Sequence, residues 1–175
     1  ASEDMDTRME ALLELEKVRH RLAVKEIGTR VLKDPDPQVR AAAAQVLGKV
    51  RADAETAGPY LRDELMENED HPEVQVAILR AIGDVGFTGA REEMIEAALR
   101  FLEKDYRFVT GEVCRTFGRL KDVKALPFLL KLAEFGLETV RGRKGPAIRV
   151  SSGATEWQAR NAWMRKYGKH AFPKE

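Results

Sequence analysis

The feature that most limits how this chain can fold is an internal repeat with an interval of 35 residues. Glycine recurs at this interval at Gly48, Gly83 and Gly118, and each glycine directly follows a large apolar residue. Three more columns of the repeat are Val39, Val74 and Val109; Leu47, Ile82 and Phe117; Val50, Val85 and Leu120. A unit of this length cannot bury its apolar side chains alone, so it is expected to stack on its neighbours.

A fourth copy is predicted upstream, at an interval of 32 residues. Its matches to residues Asp36, Arg40, Ala43, Leu47 and Val50 are Asp4, Arg8, Ala11, Leu15 and Val18. The predicted helix 4–18 has no partner helix before it. Either the acidic segment 2–6 solubilises the start of this helix, or the full-length chain continues upstream.

Each copy has the apolar spacing of a helix pair. In 36–50 the apolar positions are spaced four, three, one and three apart, which makes one helical stripe. Asp36 is a natural N-cap, and Pro37 suits the first helical turn. Further second helices begin near His71 and Asp105, and first helices with their own stripes are predicted at 21–33, 53–67, 90–103 and 122–135. The sequence therefore predicts helix pairs joined by short turns.

The run 36–48, which reads DPQVRAAAAQVLG, resembles the second helix of a HEAT repeat, of the bacterial kind also called the phycobilisome-lyase-like HEAT repeat. His71–Gly83 and Asp105–Gly118 match it less fully, because Gln75 and Thr110 stand in the column of Arg40. The resemblance covers residues 4–135. It implies an all-α fold, an α-α superhelix that forms a short solenoid of about four helix pairs, and a structural role for Arg40 in bridging to an acid or a backbone carbonyl of an adjacent unit.

The solenoid is predicted to occupy residues 1–136, with Gly136 ending its last helix. A basic, glycine-rich loop is expected at 137–152, where Val140 could pair with Ile148 and Val150 in a short hairpin. A C-terminal capping helix and tail are expected at 153–175. The aromatic residues of that helix, among them Trp157 and Trp163, either cover the apolar end of the solenoid or form an exposed binding site.

Residue types that perform chemistry are few. The chain has 3 His and 1 Cys, no phosphate-binding loop, no dinucleotide-binding glycine motif and no nucleophile elbow. Cys114 shares a column with Ala44 and Leu79, which predicts a buried, inert thiol. The sequence therefore predicts no enzyme, no cofactor and no metal site, and the absence of a run of 18 apolar residues predicts no membrane span.

Charge is distributed unevenly although the totals nearly cancel, with 30 Lys+Arg against 29 Asp+Glu. Residues 141–175 are strongly basic, with only Glu156 and Glu175 as acids. Residues 51–73 are strongly acidic and are interpreted as a solvated face rather than an acid/base pair; the acids are Asp53, Glu55, Asp63, Glu64, Glu67, Glu69, Asp70 and Glu73. This distribution either steers binding partners or is ordinary solubilising charge.

The resemblance implies that the second helices line a concave face, where partners of HEAT-like solenoids commonly bind. The register of the repeat predicts nine exposed residues on this face: Gln38, Glu73 and Phe108; Gln45, Arg80 and Arg115; Lys49, Asp84 and Arg119. They would form a polar strip rich in arginine, with Phe108 as an aromatic anchor. Alternatively, the arginines simply pair with neighbouring acids such as Asp84 and Glu112.

Three functions follow as hypotheses. The first is a non-enzymatic scaffold that binds a protein or peptide partner on the concave face. The second is nucleic-acid binding by the basic, aromatic C-terminal segment, although the sequence pI of 8.1 and the acidic face argue against it. The third, a bilin lyase or its accessory subunit, is suggested only by the alternative name of the repeat.

Overall fold

The computed structural model of the chain describes residues 4–18, 20–50, 54–68, 70–104 and 106–140. Eight α-helices occupy these ranges: α1 Met5–Val18, α2 Arg21–Thr29, α3 Pro37–Lys49, α4 Ala54–Glu67, α5 Pro72–Val85, α6 Arg91–Glu103, α7 Arg107–Leu120 and α8 Leu126–Val140. Two short 3-10 helices lie at Val31–Lys33 and Val123–Ala125. The described ranges contain no strand, so the prediction of an all-α fold is confirmed.

The chain divides into two compact units, Ala1–Lys121 and Asp122–Glu175. In the first unit, α2 packs on α3, α4 on α5 and α6 on α7, which gives three helix pairs. The second helices pack in the order α1, α3, α5 and α7, and the first helices in the order α2, α4 and α6. Helix α1 thus takes the place of the second helix of a further pair, and the stacked pairs form a HEAT-like α-solenoid.

The repeated apolar columns form the interior of the first unit. Val39, Val74 and Val109 are fully buried, and so are the large side chains of Leu47, Ile82 and Phe117. Full burial of a side chain of this size contributes about 1.5–3 kcal/mol relative to exposure. The interior therefore repeats because each helix pair must cover the next one.

Two glycines of the first helices each lie against an aromatic ring. A Cβ atom on Gly28 of α2 would overlap the ring of Tyr60 in α4. A Cβ atom on Gly58 of α4 would overlap the ring of Phe87, which is itself buried. In both places the missing side chain makes room for the ring.

Helix α3 begins as the sequence predicts. The Asp36 carboxylate accepts a hydrogen bond of 2.8 Å from the backbone N–H of Gln38, and Pro37 occupies the first turn. The capping bond satisfies one of the backbone donors that every helix start leaves without a partner.

The end predicted for α8 is wrong, because the helix continues past Gly136 to Val140. A glycine inside a helix costs only about 1 kcal/mol relative to alanine, which does not end a helix whose neighbours favour it. Val140 is helical, so it does not begin the predicted hairpin. The remainder of the predicted basic loop and the whole predicted capping helix lie outside the described residues.

Helix α1 follows the repeat only in part. Arg8 occupies the column of Arg40 and pairs with Asp34, with 2.9 Å between Nε and Oδ2. Ala11 and Val18, however, are exposed, whereas their counterparts Ala43 and Val50 are buried. Within the described residues α1 packs mainly on α3, and Ala11 and Val18 face solvent.

The prediction of a fully buried Cys114 is wrong, because its side chain is only partly buried. Ala44 and Leu79, in the same column, are fully buried. Helices α3 and α5 each have a second-helix neighbour on both sides within the first unit, whereas α7 is the last helix of that unit. The remaining burial still raises the pKa of the Cys114 thiol.

Candidate functional site

The exposed side of α3, α5 and α7 carries all nine residues that the sequence predicted there. Each of them is exposed to solvent: Gln38, Gln45, Lys49, Glu73, Arg80, Asp84, Phe108, Arg115 and Arg119. We call these nine residues the second-helix strip. Their exposure follows from the register, because they lie opposite the buried columns on the same helices.

Between α5 and α7, the centre of the strip is organised by the carboxylate of Glu112, whose side chain is 3% exposed. Its Oε2 atom lies 2.7 Å from Nη1 of Arg115 and 3.3 Å from Nε of Arg80. Its Oε1 atom accepts a hydrogen bond of 3.0 Å from Nη2 of Arg119. Three guanidinium groups on two helices therefore meet at one carboxylate, which offsets the cost of burying its charge.

Arg119 has a second carboxylate partner. Its Nη1 atom donates a hydrogen bond of 2.6 Å to Oδ1 of Asp84 on α5. Gly83 lies beneath the guanidinium, where a Cβ atom would be 3.3 Å from the Arg119 Cζ atom. Arg119 is thus held flat against α5 by two charges and by the absence of a side chain.

We call Arg80, Arg115, Arg119, Glu112 and Asp84 the arginine cluster. It contains three positive and two negative charges. The side chains of Arg80, Arg115 and Arg119 remain 55%, 66% and 38% exposed. The arginines therefore make the ion pairs with Asp84 and Glu112 that the sequence offered as one alternative, and they still present charge to solvent; the binding role of the strip stays a prediction.

The remaining strip residues lie along the same row of helices. Lys49 pairs with Glu16 of α1 at 3.4 Å, and Glu73 lies 3.6 Å from Nδ1 of His71. Asp84 approaches α3 as well, since a Cβ atom on Gly48 would lie 3.3 Å from its Oδ2 atom. Ion pairs and close contacts thus connect neighbouring second helices across the strip.

Phe108 is 52% exposed and extends the strip toward the start of α7. Its ring packs edge-on against Tyr106, with 5.9 Å between the ring centroids. Tyr106 packs in turn against Phe101 at 6.0 Å. Tyr106 is 43% exposed, and the strip predicted from the sequence did not include it because it precedes the helix.

Arg40 is structural, as the resemblance implies, but its partners differ from the expected ones: the backbone carbonyls belong to its own helix pair, and the partner in the adjacent unit is an asparagine side chain. Its Nη1 atom donates hydrogen bonds to the backbone carbonyls of Asp34 and Pro35, at 2.7 and 3.1 Å. Its Nε atom donates to Oδ1 of Asn68, in the following helix pair, at 2.7 Å. In the same column, Gln75 donates to the carbonyl of Leu65 and Thr110 to the carbonyl of Ala98. Three different side chains thus tie a second helix to its surrounding backbone.

The interpretation of residues 51–73 as a solvated acidic face is wrong for Glu64, whose side chain is 3% exposed. Glu64 lies three residues after Leu61 and four before Asn68, which places it on the buried stripe of α4. It accepts a hydrogen bond of 3.1 Å from Nδ2 of Asn68 and lies 3.6 Å from Nζ of Lys33. Burial raises the pKa of Glu64, while nearby Glu64 and Glu67 raise the pKa of Lys33.

Two kinds of site can be assessed directly in the described residues. No group of three or more His, Cys, Asp or Glu side chains there is arranged to hold a metal ion. None of the described helices combines the length and the apolar character needed to cross a membrane.

Comparison with known proteins adds one finding. A family model of HEAT repeats matches residues 1–70 and 59–142, which together cover most of the chain. No curated protein and no solved structure matches the chain significantly. The repeat register, the stacked helix pairs and this match agree, and the chain belongs to the HEAT-repeat family.

Proposed function

We propose that this protein is a non-enzymatic scaffold that binds a protein or peptide partner on the exposed face of α3, α5 and α7. This is the face that the resemblance implies to be concave. One observation carries the proposal: the arginine cluster and the exposed Phe108 lie on one row of helices. Proteins with HEAT repeats are generally interaction scaffolds, which supports the same assignment.

The composition of this face suits protein recognition. Arginine and aromatic side chains contribute most of the free energy in many protein interfaces. Arg119 is already held by Glu112 and Asp84, and Phe108 is already packed on Tyr106. A partner would therefore order few additional side chains on this surface, which reduces the entropic cost of binding.

The partnering of Glu112 favours binding over catalysis. Both carboxylate oxygens face guanidinium groups at 2.7–3.3 Å. A general base needs to reach a substrate proton, and a carboxylate enclosed in this way is poorly placed for that role. The chemistry of the cluster is therefore that of recognition.

Photocrosslinking tests this assignment. Benzoylphenylalanine would replace Gln45 on α3 in one variant and Lys25 on α2 in a control, since both residues are exposed. In cells that naturally produce the protein, we expect the Gln45 position to form a covalent adduct with a partner protein and the Lys25 position to form none. Adding Arg80→Gln and Arg115→Gln should abolish the adduct. Equal adducts from both positions would contradict the proposal.

A further inference from the structure

Glu112 occupies a position where the fold does not require a carboxylate. The same column of the repeat holds Ala42 in α3 and Ala77 in α5. Two of three copies therefore pack with a small apolar residue, whereas the third buries a charge that is costly unless it is paired. What Glu112 adds is the position of the arginines around it.

The arginines retain binding capacity after pairing with Glu112 and Asp84. A guanidinium group carries five N–H donors in a planar fork that matches a carboxylate. Arg80 and Arg115 are more than half exposed, so they keep donors in water. The cluster also holds one more positive than negative charge. It can therefore accept one further anionic group.

The aromatic pair lies at a defined distance from these donors. Phe108 precedes Arg115 by seven residues on α7, which is two helical turns and places both on one face. With a rise of about 1.5 Å per residue, the two positions are about 10 Å apart along the helix. An extended peptide covers that distance in about three residues.

From this arrangement we propose that the arginine cluster binds a glutamate or aspartate side chain of an extended peptide segment, while Phe108 and Tyr106 contact an apolar residue about three positions away. This inference rests on the proposed function and specifies the chemistry of the partner. The carboxylate receives donors from Arg80 and Arg115, and Glu112 keeps their guanidinium groups in place.

The test uses fluorescence anisotropy with labelled peptides and the full chain. The first peptide has one glutamate and a phenylalanine three positions away, the second has glutamine in place of the glutamate, and the third has phosphoserine there. We expect the glutamate peptide to bind about tenfold or more tightly than the glutamine peptide, and its affinity to fall with added salt. Equal affinity for those two peptides would overturn the proposal. Binding of the phosphoserine peptide alone would overturn it as well.

Matched variants locate the binding site. Arg80→Gln with Arg115→Gln should weaken binding of the glutamate peptide about tenfold, whereas Lys25→Gln on α2 with Arg30→Gln directly after it, the same change of charge, should leave it unchanged. Thermal melts followed by circular dichroism verify that both variants are folded. An equal loss of affinity in the two variants would contradict the placement of the binding site at the arginine cluster.

Phe108→Ala separates the aromatic contact from the charge. We expect this variant to lose affinity for the phenylalanine-containing peptide but not for the same peptide with alanine in that position. Equal effects on both peptides would contradict the aromatic contact.

The two proposals fail in different ways. If the Gln45 crosslink forms but the glutamate peptide has no advantage over the glutamine peptide, the scaffold function stands and the carboxylate preference is wrong. If the Gln45 and Lys25 positions crosslink equally, the assignment of the face is wrong.

Discussion

The buried and exposed sides of the second helices follow opposite rules. On the buried side the columns of large side chains stay apolar between copies, as Leu47, Ile82 and Phe117 illustrate. On the exposed side the residue type varies more, as Gln38, Glu73 and Phe108 illustrate. The buried side must fit the next helix pair, whereas the exposed side meets only solvent or a partner.

The arginines fall into two groups in the same way, one structural and one exposed to solvent. Arg40 bonds two backbone carbonyls and an asparagine of the next pair, so its role is structural. Arg80 and Arg115 share one carboxylate and remain more than half exposed. The partners of an arginine, rather than its presence, therefore distinguish a structural role from a role in recognition.

Removing a buried side chain should have the largest effect. We expect Ile82→Ala to lower the free energy of unfolding by about 2–5 kcal/mol, because it leaves a cavity where the side chain is now fully buried. Gln45→Ala, on the exposed side, should change it by less than about 0.5 kcal/mol. Urea unfolding of both variants measures the difference, and similar losses would remove the distinction between the two sides.

A substitution at Arg40, which is partly buried, tests whether this arginine contributes to stability rather than to binding. Arg40→Gln should cost about 1–3 kcal/mol, because it disrupts hydrogen bonds to Asp34, Pro35 and Asn68. The peptide affinity of the folded variant should be unchanged. If Arg40→Gln instead weakened binding without affecting unfolding, the structural role assigned to Arg40 would be wrong.

Substitutions in the repeated glycine column should have smaller effects on stability, with opposite signs at Gly48 and Gly118. A Cβ atom on Gly48 would lie 3.1 Å from the Cα atom of Ala81, so Gly48→Ala should destabilise the chain by about 1–2 kcal/mol. A Cβ atom on Gly118 meets no described atom within 4 Å, so Gly118→Ala should stabilise it by about 0.5–1 kcal/mol. Chemical denaturation of both variants provides the measurement. If both substitutions changed the stability in the same direction, the glycine column would not set the spacing of the helices.

The smallest expected effect is a pH dependence of the free energy of unfolding that arises from Glu64. Burial raises its pKa above the ordinary value of 4.5, so the folded chain holds this proton more tightly than the unfolded chain. The contribution of this group to stability is therefore greatest at low pH and decreases as pH rises through the raised pKa. Glu64→Gln should flatten that part of the profile when unfolding is followed from about pH 4 to 7. If Glu64→Gln left the slope of stability against pH unchanged, the pH dependence would not arise from Glu64.

Much of the fold could be predicted because apolar spacing and repeat interval both report burial. The same register placed all nine strip residues in solvent, since each lies opposite a buried column. It failed at Cys114, whose side chain is only partly buried although Ala44 and Leu79 in its column are fully buried. It also failed at Gly136, because a glycine in a helix is a modest cost and not a fixed stop.

The candidate site was less accessible from sequence. The sequence offered Asp84 and Glu112 as ion-pair partners of the arginines but did not predict that Glu112 is buried, for which its departure from the alanines in its column was the available signal. Its three arginine partners come from two helices, so their convergence depends on how α5 and α7 are packed. The binding role of the strip and the alternative of nucleic-acid binding by the basic segment both stay predictions. The segment lies outside the described residues.

The rings that fill the gaps above Gly28 and Gly58 have a consequence for shortening or extending the array. Tyr60 belongs to the pair that follows Gly28, and Phe87 comes from the loop after the pair that contains Gly58. Each junction is thus encoded in two segments that are distant along the chain. If a helix pair is duplicated or deleted, the segment boundaries must keep each of these glycines together with the aromatic residue that packs on it. Otherwise the new junction will contain either a steric clash or a cavity.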